Sequence, residues 1–108
     1  MRILFDNGTP VPLRRVLAGH DVTTAYSLGW HELRNGELLA KAEADGYTAL
    51  ITTDQNLRYQ QNLSGRTLAI LVLLNTNWRL ISRHVDLVTE AVDALTPGAY
   101  VEIAFPNP

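Results

Sequence analysis

Two carboxylic acids stand where the hydrophobic pattern predicts that buried strands end. Asp6 follows the apolar segment 2–5, and Asp54 follows the apolar segment 47–53. Ligands of open parallel sheets bind at the carboxyl ends of the strands, and carboxylates gathered there repel one another unless a cation lies between them. Oxygen ligands suit Mg²⁺ or Mn²⁺, which can acidify a bound water and neutralise a phosphodiester. The two positions therefore predict a divalent-cation site with Asp6 and Asp54 as catalytic and metal-binding residues.

These acids and their neighbours also have structural interpretations. An acid at a strand end commonly stabilises a turn or caps the next helix. Glu37 could join the site from the first turn of a helix predicted at residues 36–44, where the helix dipole by itself favours an acid. Asn35 is predicted as the N-cap of that helix. The three histidines lie in separate parts of the chain without metal-ligand spacing and are interpreted as surface or loop residues: His20, His31 and His84.

The stretch between residues 55 and 85 contains no acid and four arginines: Arg58, Arg66, Arg79 and Arg83. One interpretation is a solvated basic face, because arginine is normally exposed. The other is a binding surface for phosphates or for an acidic partner segment. If the second holds, at least two of the four should flank the acidic cleft, because cations beside a metal site can hold a phosphate backbone.

The order of predicted elements indicates how these side chains are positioned. Apolar or β-branched segments predict five strands, at residues 2–5, 22–24, 47–53, 67–74 and 100–104. Helical spacing predicts helices at residues 13–17, 36–44 and 78–95, with a short helical turn within 55–62. Strands that alternate with helices through short connections are typical of a parallel sheet. We therefore predict an α/β fold with a mostly parallel central sheet of about five strands and helices on both faces.

The composition limits the classes of protein to consider. The chain has 108 residues, 46% of them hydrophobic, and is predicted to form a single domain over residues 1–108. It contains no cysteine, which excludes disulfides and thiolate chemistry and fits a reducing compartment. The formal net charge of −2 argues against nonspecific nucleic-acid binding by the whole surface. A signal-peptide pattern is absent and the longest apolar run, residues 68–74, is too short to cross a bilayer, so a cytoplasmic protein without membrane attachment is expected.

Two segments carry a resemblance to a known family. LFDNGTPVPLRRVLAGHDVTTA, residues 4–25, resembles the opening of PIN-like proteins, in which the first strand ends in an acid and a proline-bearing helix and a GHDV segment follow. NGELLAKAEADGYTALITTDQNL, residues 35–57, resembles their middle section, in which a helix opens at an acid and a strand ends in further acids. Order and spacing agree over residues 1–74, so the resemblance implies a PIN-like fold.

The resemblance also implies an activity and a set of site residues. PIN domains are Mg²⁺- or Mn²⁺-dependent ribonucleases, and many small bacterial ones are toxins held inactive by an antitoxin. Asp6 and Asp54 match two of the family's acids, whereas Asn35 and Asn56 stand where the family places others and Asn7 replaces a further one. The implied metal ligands are Asp6, Asp54, Glu37, Asn35 and Asn56, with Glu37 compensating for a missing charge. The implied partners are RNA, an antitoxin-like protein, or both, and a homodimer is an option.

Three hypotheses about function follow. The first is a PIN-like endoribonuclease, with the toxin of a toxin–antitoxin pair as its specific form. The second is a catalytically degraded PIN-like module that binds RNA or a protein partner, which the amides at positions 35 and 56 favour. The third is a phosphoacceptor receiver domain, which would need an acidic pair after the first strand and a lysine near the last. Asn7 follows Asp6, and the only lysine is Lys41 in the second helix, so the third is the weakest.

Overall fold

A computed structural model describes residues 1–106, which build one five-stranded sheet in which every pair of neighbouring strands is parallel. The strand order is β2-β1-β3-β4-β5. The strands are β1 (Arg2–Phe5), β2 (Asp21–Thr24), β3 (Ala49–Thr52), β4 (Ala69–Leu73) and β5 (Tyr100–Ile103). The predicted α/β fold with a parallel central sheet of five strands is confirmed.

Within residues 1–106, five short helices connect the strands: α1 (Leu13–Val16), α2 (Asn35–Ala44), α3 (Leu57–Gln60), α4 (Trp78–Ile81) and α5 (Val85–Asp93). The apolar residues of α1, α4 and α5 belong to one core cluster, and those of α2 and α3 belong to another. The two clusters lie on opposite faces of the sheet, so the prediction of helices on both faces is also confirmed. No helix among residues 1–106 combines the length and apolar character that crossing a bilayer requires.

Successive side chains of each strand point to opposite faces of the sheet, so a single strand contributes to both cores. Ile3 and Phe5 of β1 belong to the first cluster, whereas Leu4 between them belongs to the second, as the two-residue period of a strand requires. Every residue of β3 and β4 is buried. Because helices cover both faces of these two strands, their sequences are nearly continuous apolar runs.

The prediction of one helix over residues 78–95 is wrong. The chain forms α4, a 3₁₀ turn at Ser82–His84, and then α5, because His84 leaves the helical region at φ −134° and ψ 36°. Ser82 Oγ donates a hydrogen bond of 2.9 Å to the carbonyl oxygen of Arg79, and such side-chain bonds compete with helical pairing. Ile81 and Val88 still contact the same core, which is why their spacing indicated a single helix.

The topology changes direction between β1 and β3, whose carboxyl ends lie side by side. From β1 the chain passes through α1 to β2 on one side, and it returns through α2 to β3 on the other side. The helices that follow β1 and β3 therefore diverge onto opposite faces of the sheet. Open parallel sheets bind ligands at such a switch point. A functional site is therefore expected at the carboxyl ends of these two strands.

Candidate functional site

Asp6 and Asp54 lie at the same edge of the sheet, on the two strands that flank the switch point. Asp6 directly follows β1, and Asp54 comes two residues after the end of β3. The strands are in register through the pair Phe5 and Ile51. The backbone N–H of Asp6 also donates to the carbonyl oxygen of Ile51 at 3.0 Å, which extends the pairing to the acid itself. The structure therefore brings together the two acids that the sequence singled out.

The hydroxyl of Thr52 links the two acids. Thr52 Oγ1 donates to Asp6 Oδ2 at 2.8 Å and accepts from the backbone N–H of Asp54 at 3.1 Å. Thr52 is 0% exposed, so its hydroxyl is held without competition from water. A fixed donor of this kind orients one carboxylate and the turn that carries the other. The site is therefore organised by the strand end as well as by the acids.

All four carboxylate oxygens of this pair accept hydrogen bonds from the chain. Besides the bond from Thr52, Asp6 Oδ1 accepts from the backbone N–H of Asn7 at 2.7 Å. Asp54 Oδ1 accepts from the backbone N–H of Asn56 at 2.9 Å, and Asp54 Oδ2 accepts from Asn35 Nδ2 at 2.9 Å. Each oxygen keeps a second lone pair that could reach a ligand. The acids thus stabilise local turns and remain able to bind.

Asn35 does not act as the predicted N-cap. The N-cap of α2 is Arg34, which has extended backbone angles, and Asn35 is the first helical residue. The Nδ2 atom of Asn35 donates instead to Asp54 and, at 3.2 Å, to Gln60 Oε1. An acid at position 35 could not make these donations. The amide therefore suits the observed contacts better than the acid that the family resemblance implies.

The oxygen atoms around Asp6 and Asp54 offer a divalent cation only a minimal set of ligands. Asp6 and Asp54 are half-buried and offer carboxylate oxygens, and Mg²⁺ is often held by one or two carboxylates together with water and phosphate. Glu37 and Asn56 are exposed, and neither side chain makes a hydrogen bond within residues 1–106. That part of the chain also has no group of three or more histidine or acidic residues placed to hold a metal. The pair Asp6 and Asp54 is the core of any metal site here.

A cavity of about 540 Å³ opens beside Asp6, on the side of β2. Its lining includes Asn7 and Arg14, which follow β1, and Tyr26 and His31, which follow β2. Sequence reasoning missed Arg14 and Tyr26 and interpreted His31 as a surface or loop residue. Asp6 was identified by its position after a predicted strand. The same criterion could have identified Tyr26 and His31, because both also follow the carboxyl end of a parallel strand.

The loops around this cavity are tied to each other. Asn7 Nδ2 donates to the carbonyl oxygen of His31 at 2.7 Å, which joins the loop after β1 to the loop after β2. A Cβ at Gly8 would lie 2.1 Å from Thr53 Oγ1, so the absence of a side chain lets the first loop pack against the end of β3. Asn7, which stands where the family resemblance implies an acid, therefore has a structural partner in the backbone of His31.

The four arginines at positions 58, 66, 79 and 83 do not share one environment. Arg66 precedes β4, at the sheet edge opposite the acids, and forms an ion pair with Glu43. In α3, Arg58 Nη1 lies 3.6 Å from Glu102 Oε1, and Arg58 Nη2 donates a hydrogen bond to Tyr59 Oη at 2.6 Å. Arg79 and Arg83 are exposed, in α4 and in the 3₁₀ turn. Arg58 and Arg79 belong to helices that begin at the carboxyl edge, and their role in binding stays a prediction.

The ion pair of Glu43 gives the fold a pH dependence. Burial raises the pKa of Glu43, but hydrogen bonds from Arg66 and from the backbone N–H groups of Thr67 and Leu68 outweigh burial and hold this pKa below its ordinary value of 4.5. A carboxyl whose pKa is lowered by folding stabilises the fold above its unfolded-state pKa. This stabilisation is lost as the pH falls through the folded-state pKa.

We therefore expect Glu43→Gln to lower the free energy of unfolding at pH 7 by about 1–2 kcal/mol, through the loss of charge-assisted hydrogen bonds. Urea denaturation at a series of pH values would show this difference shrinking as the pH falls below 4.5. Glu90→Gln is the matched control, because Glu90 is exposed and forms no ion pair within the described residues. If the difference in the free energy of unfolding between Glu43→Gln and the unaltered protein does not change with pH, the lowered pKa of Glu43 is contradicted.

A comparison with protein families, with curated proteins and with solved structures finds no match to this chain.

Proposed function

We propose that this chain is a Mg²⁺- or Mn²⁺-dependent endoribonuclease of PIN-like type that acts in the cytoplasm. The observation that supports the proposal is the placement of Asp6 and Asp54 at the carboxyl ends of adjacent parallel strands, joined by the hydroxyl of the buried Thr52. Two carboxylates at a switch point form a minimal hard-cation site that is open to a phosphate ligand. The absence of cysteine from the chain fits the proposed compartment.

In this proposal the residues of the chain hold the two carboxylates in place for the reaction. Thr52 and the backbone of Asn7 orient Asp6, while Asn35 and the backbone of Asn56 orient Asp54. Asp6 and Asp54 would hold the cation, which would neutralise charge on the phosphodiester and make a water molecule more acidic. Because the orienting bonds exist before any ligand arrives, binding would require little reorganisation of the site.

The resemblance to small bacterial PIN-like proteins extends the proposal to the toxin of a toxin–antitoxin pair. In that form an antitoxin-like protein would bind the chain and prevent access of RNA to the cleft. Arg79 and Arg83 are exposed and form no ion pair within residues 1–106, so they remain available to such a partner or to RNA. A homodimer belongs to the same proposal.

A second candidate function is a binding module without catalysis. It is favoured by the hydrogen bonds that occupy every carboxylate oxygen of Asp6 and Asp54, and by Asn35, which presents its N–H group to Asp54. In this alternative the two acids are structural turn residues, and RNA or a protein binds the surrounding surface.

Cleavage of labelled single-stranded RNA distinguishes the two candidates. We expect cleavage with Mn²⁺ or Mg²⁺, none with EDTA, and recovery when the metal is added in excess of the chelator. The same metal should raise the melting temperature of the protein, because a ligand that binds only the folded state stabilises it. A protein that binds RNA or a partner, but shows neither cleavage nor a metal-dependent rise in melting temperature, would favour the binding module.

A further inference from the structure

The cavity beside Asp6 has an aromatic wall that is open to solvent. Tyr26 is 72% exposed, and its ring centroid lies 4.7 Å from that of His31 with an angle of 36° between the rings. Val11, another lining residue, is 59% exposed. Exposed aromatic faces beside a polar cleft are suited to stacking with a planar ligand, and nucleobases stack on them with little dependence on sequence.

The backbone that carries this aromatic wall is held in place before any ligand binds. Gly29, at φ +75°, donates its backbone N–H to the carbonyl oxygen of Tyr26 at 3.0 Å, and Trp30 donates to that of Ala25 at 2.8 Å. The bond from Asn7 then ties the backbone of His31 to the loop that carries Asp6. The loop backbone under the two rings therefore loses little conformational entropy when a ligand stacks on them.

Arg14 supplies a positive charge to the same cavity. It is exposed and forms no ion pair with any carboxylate in the described part of the chain, unlike Arg58 and Arg66. An arginine without a carboxylate partner can donate a pair of hydrogen bonds to a phosphate. The cavity therefore presents a phosphate-binding group and a stacking surface together, and its volume lies within the range of small-ligand sites, roughly 300–1,000 Å³.

We propose that this cavity is a subsite for one nucleotide of single-stranded RNA, whose base stacks on Tyr26 and His31 and whose phosphate contacts Arg14. The proposal rests on the proposed ribonuclease function, because the wall of the cavity includes Asp6 and the bound strand would pass from Arg14 to the acids. A single strand is expected because a base within a duplex is already stacked and paired, and would have to leave the duplex to reach a protein ring. A peptide with an acidic side chain could contact Arg14 but would make less use of the aromatic wall.

Equilibrium binding separates this proposal from the nuclease activity. The dissociation constant of a fluorescein-labelled single-stranded RNA dodecamer is measured by titration with protein, once in EDTA and once with Ca²⁺. The bound RNA is then displaced in competition with each of the four nucleoside monophosphates and with ribose 5-phosphate. We expect at least one nucleoside monophosphate to compete about tenfold or more better than ribose 5-phosphate, because only the nucleotide has a base to stack.

The chain provides matched controls for both contacts. Tyr26→Ala should weaken RNA binding about tenfold or more, and Tyr26→Phe should restore it, whereas Leu28→Ala should change little because Leu28, exposed in the same loop, does not line the cavity. Arg14→Ala should weaken binding and reduce the slope of log affinity against log salt by about 0.7, whereas the adjacent Arg15→Ala should leave both unchanged. These side chains are exposed, so melting temperatures should stay close to that of the unaltered protein.

Each outcome decides the proposal. Equal competition by ribose 5-phosphate would reduce the cavity to an anion site and overturn the stacking contact. Unchanged RNA binding in Tyr26→Ala and Arg14→Ala would overturn the subsite even if the protein cleaves RNA. If neither RNA nor nucleotide binds in either buffer, the subsite proposal is overturned as well. In that case, altered self-association of the Tyr26→Ala variant would show that the aromatic wall forms a contact between protein molecules. Nucleotide binding by a protein that cleaves nothing would support the subsite and refute the nuclease.

Discussion

Asp6→Asn and Asp54→Asn are each expected to lower the rate of Mn²⁺-dependent RNA cleavage about a thousandfold, because the site has only two carboxylates and a bound cation contributes several kcal/mol to the transition state. Asparagine keeps the size of the side chain, and its single amide oxygen can accept one of the two hydrogen bonds that each carboxylate accepts. Initial rates of cleavage of a labelled RNA at saturating metal would measure the effect.

Asp45→Asn is the matched control for these two substitutions. Asp45 is exposed at the end of α2, at the sheet edge opposite the acids, so its substitution should leave the cleavage rate unchanged. The melting temperature in EDTA gives a second readout. Each substitution loses one accepted hydrogen bond but removes one of two neighbouring negative charges, so we expect only a small change in melting temperature. A loss of activity that merely follows a large loss of stability would count against a catalytic role. Full activity in both variants would refute the metal site.

Asn35→Asp is expected to make the metal-free protein less stable and its response to metal larger. The substitution removes the N–H group that donates to Asp54 Oδ2 at 2.9 Å and puts a third carboxylate in its place. We expect a loss of about 1–3 kcal/mol in the free energy of unfolding at pH 7 in EDTA, since a part-buried acceptor loses its donor and gains a like charge. With Mn²⁺ the third charge becomes favourable, so the melting temperature should rise more than in the unaltered protein.

Asn56→Asp provides the comparison for this substitution. Asn56 contacts Asp54 through its backbone N–H, and its side chain is exposed, so an acid there should cost less stability in EDTA than an acid at position 35. Thermal denaturation of both variants across a Mn²⁺ titration would measure the difference. If Mn²⁺ stabilises neither variant, the cleft does not bind the cation and the acids have a structural role.

The order of elements and the location of the acids could be predicted from the sequence because they depend on local patterns. Apolar runs ended by polar or glycine residues predicted the strands, and short connections with intervening helices predicted a parallel sheet. A parallel sheet brings the carboxyl ends of its strands to one edge, so Asp6 and Asp54 could be assigned to that edge before the structure was known. The spacing of Ile81 and Val88 indicated a helix correctly but not its interruption at residues 82–84, because a buried stripe continues across a break that keeps its side chains on the same core.

Only the tertiary structure decided which partners these side chains have. The donation from Asn35 to Asp54, the bond from Asn7 to the backbone of His31 and the ion pair between Arg66 and Glu43 all join residues more than fifteen positions apart in the chain. No local pattern encodes such pairs, because each depends on how two loops or elements meet once the sheet has formed. The cavity that unites Arg14 with the ring of Tyr26 has the same origin: β1 and β2 become neighbours only through their parallel pairing, and that pairing brings the loops after them to one edge.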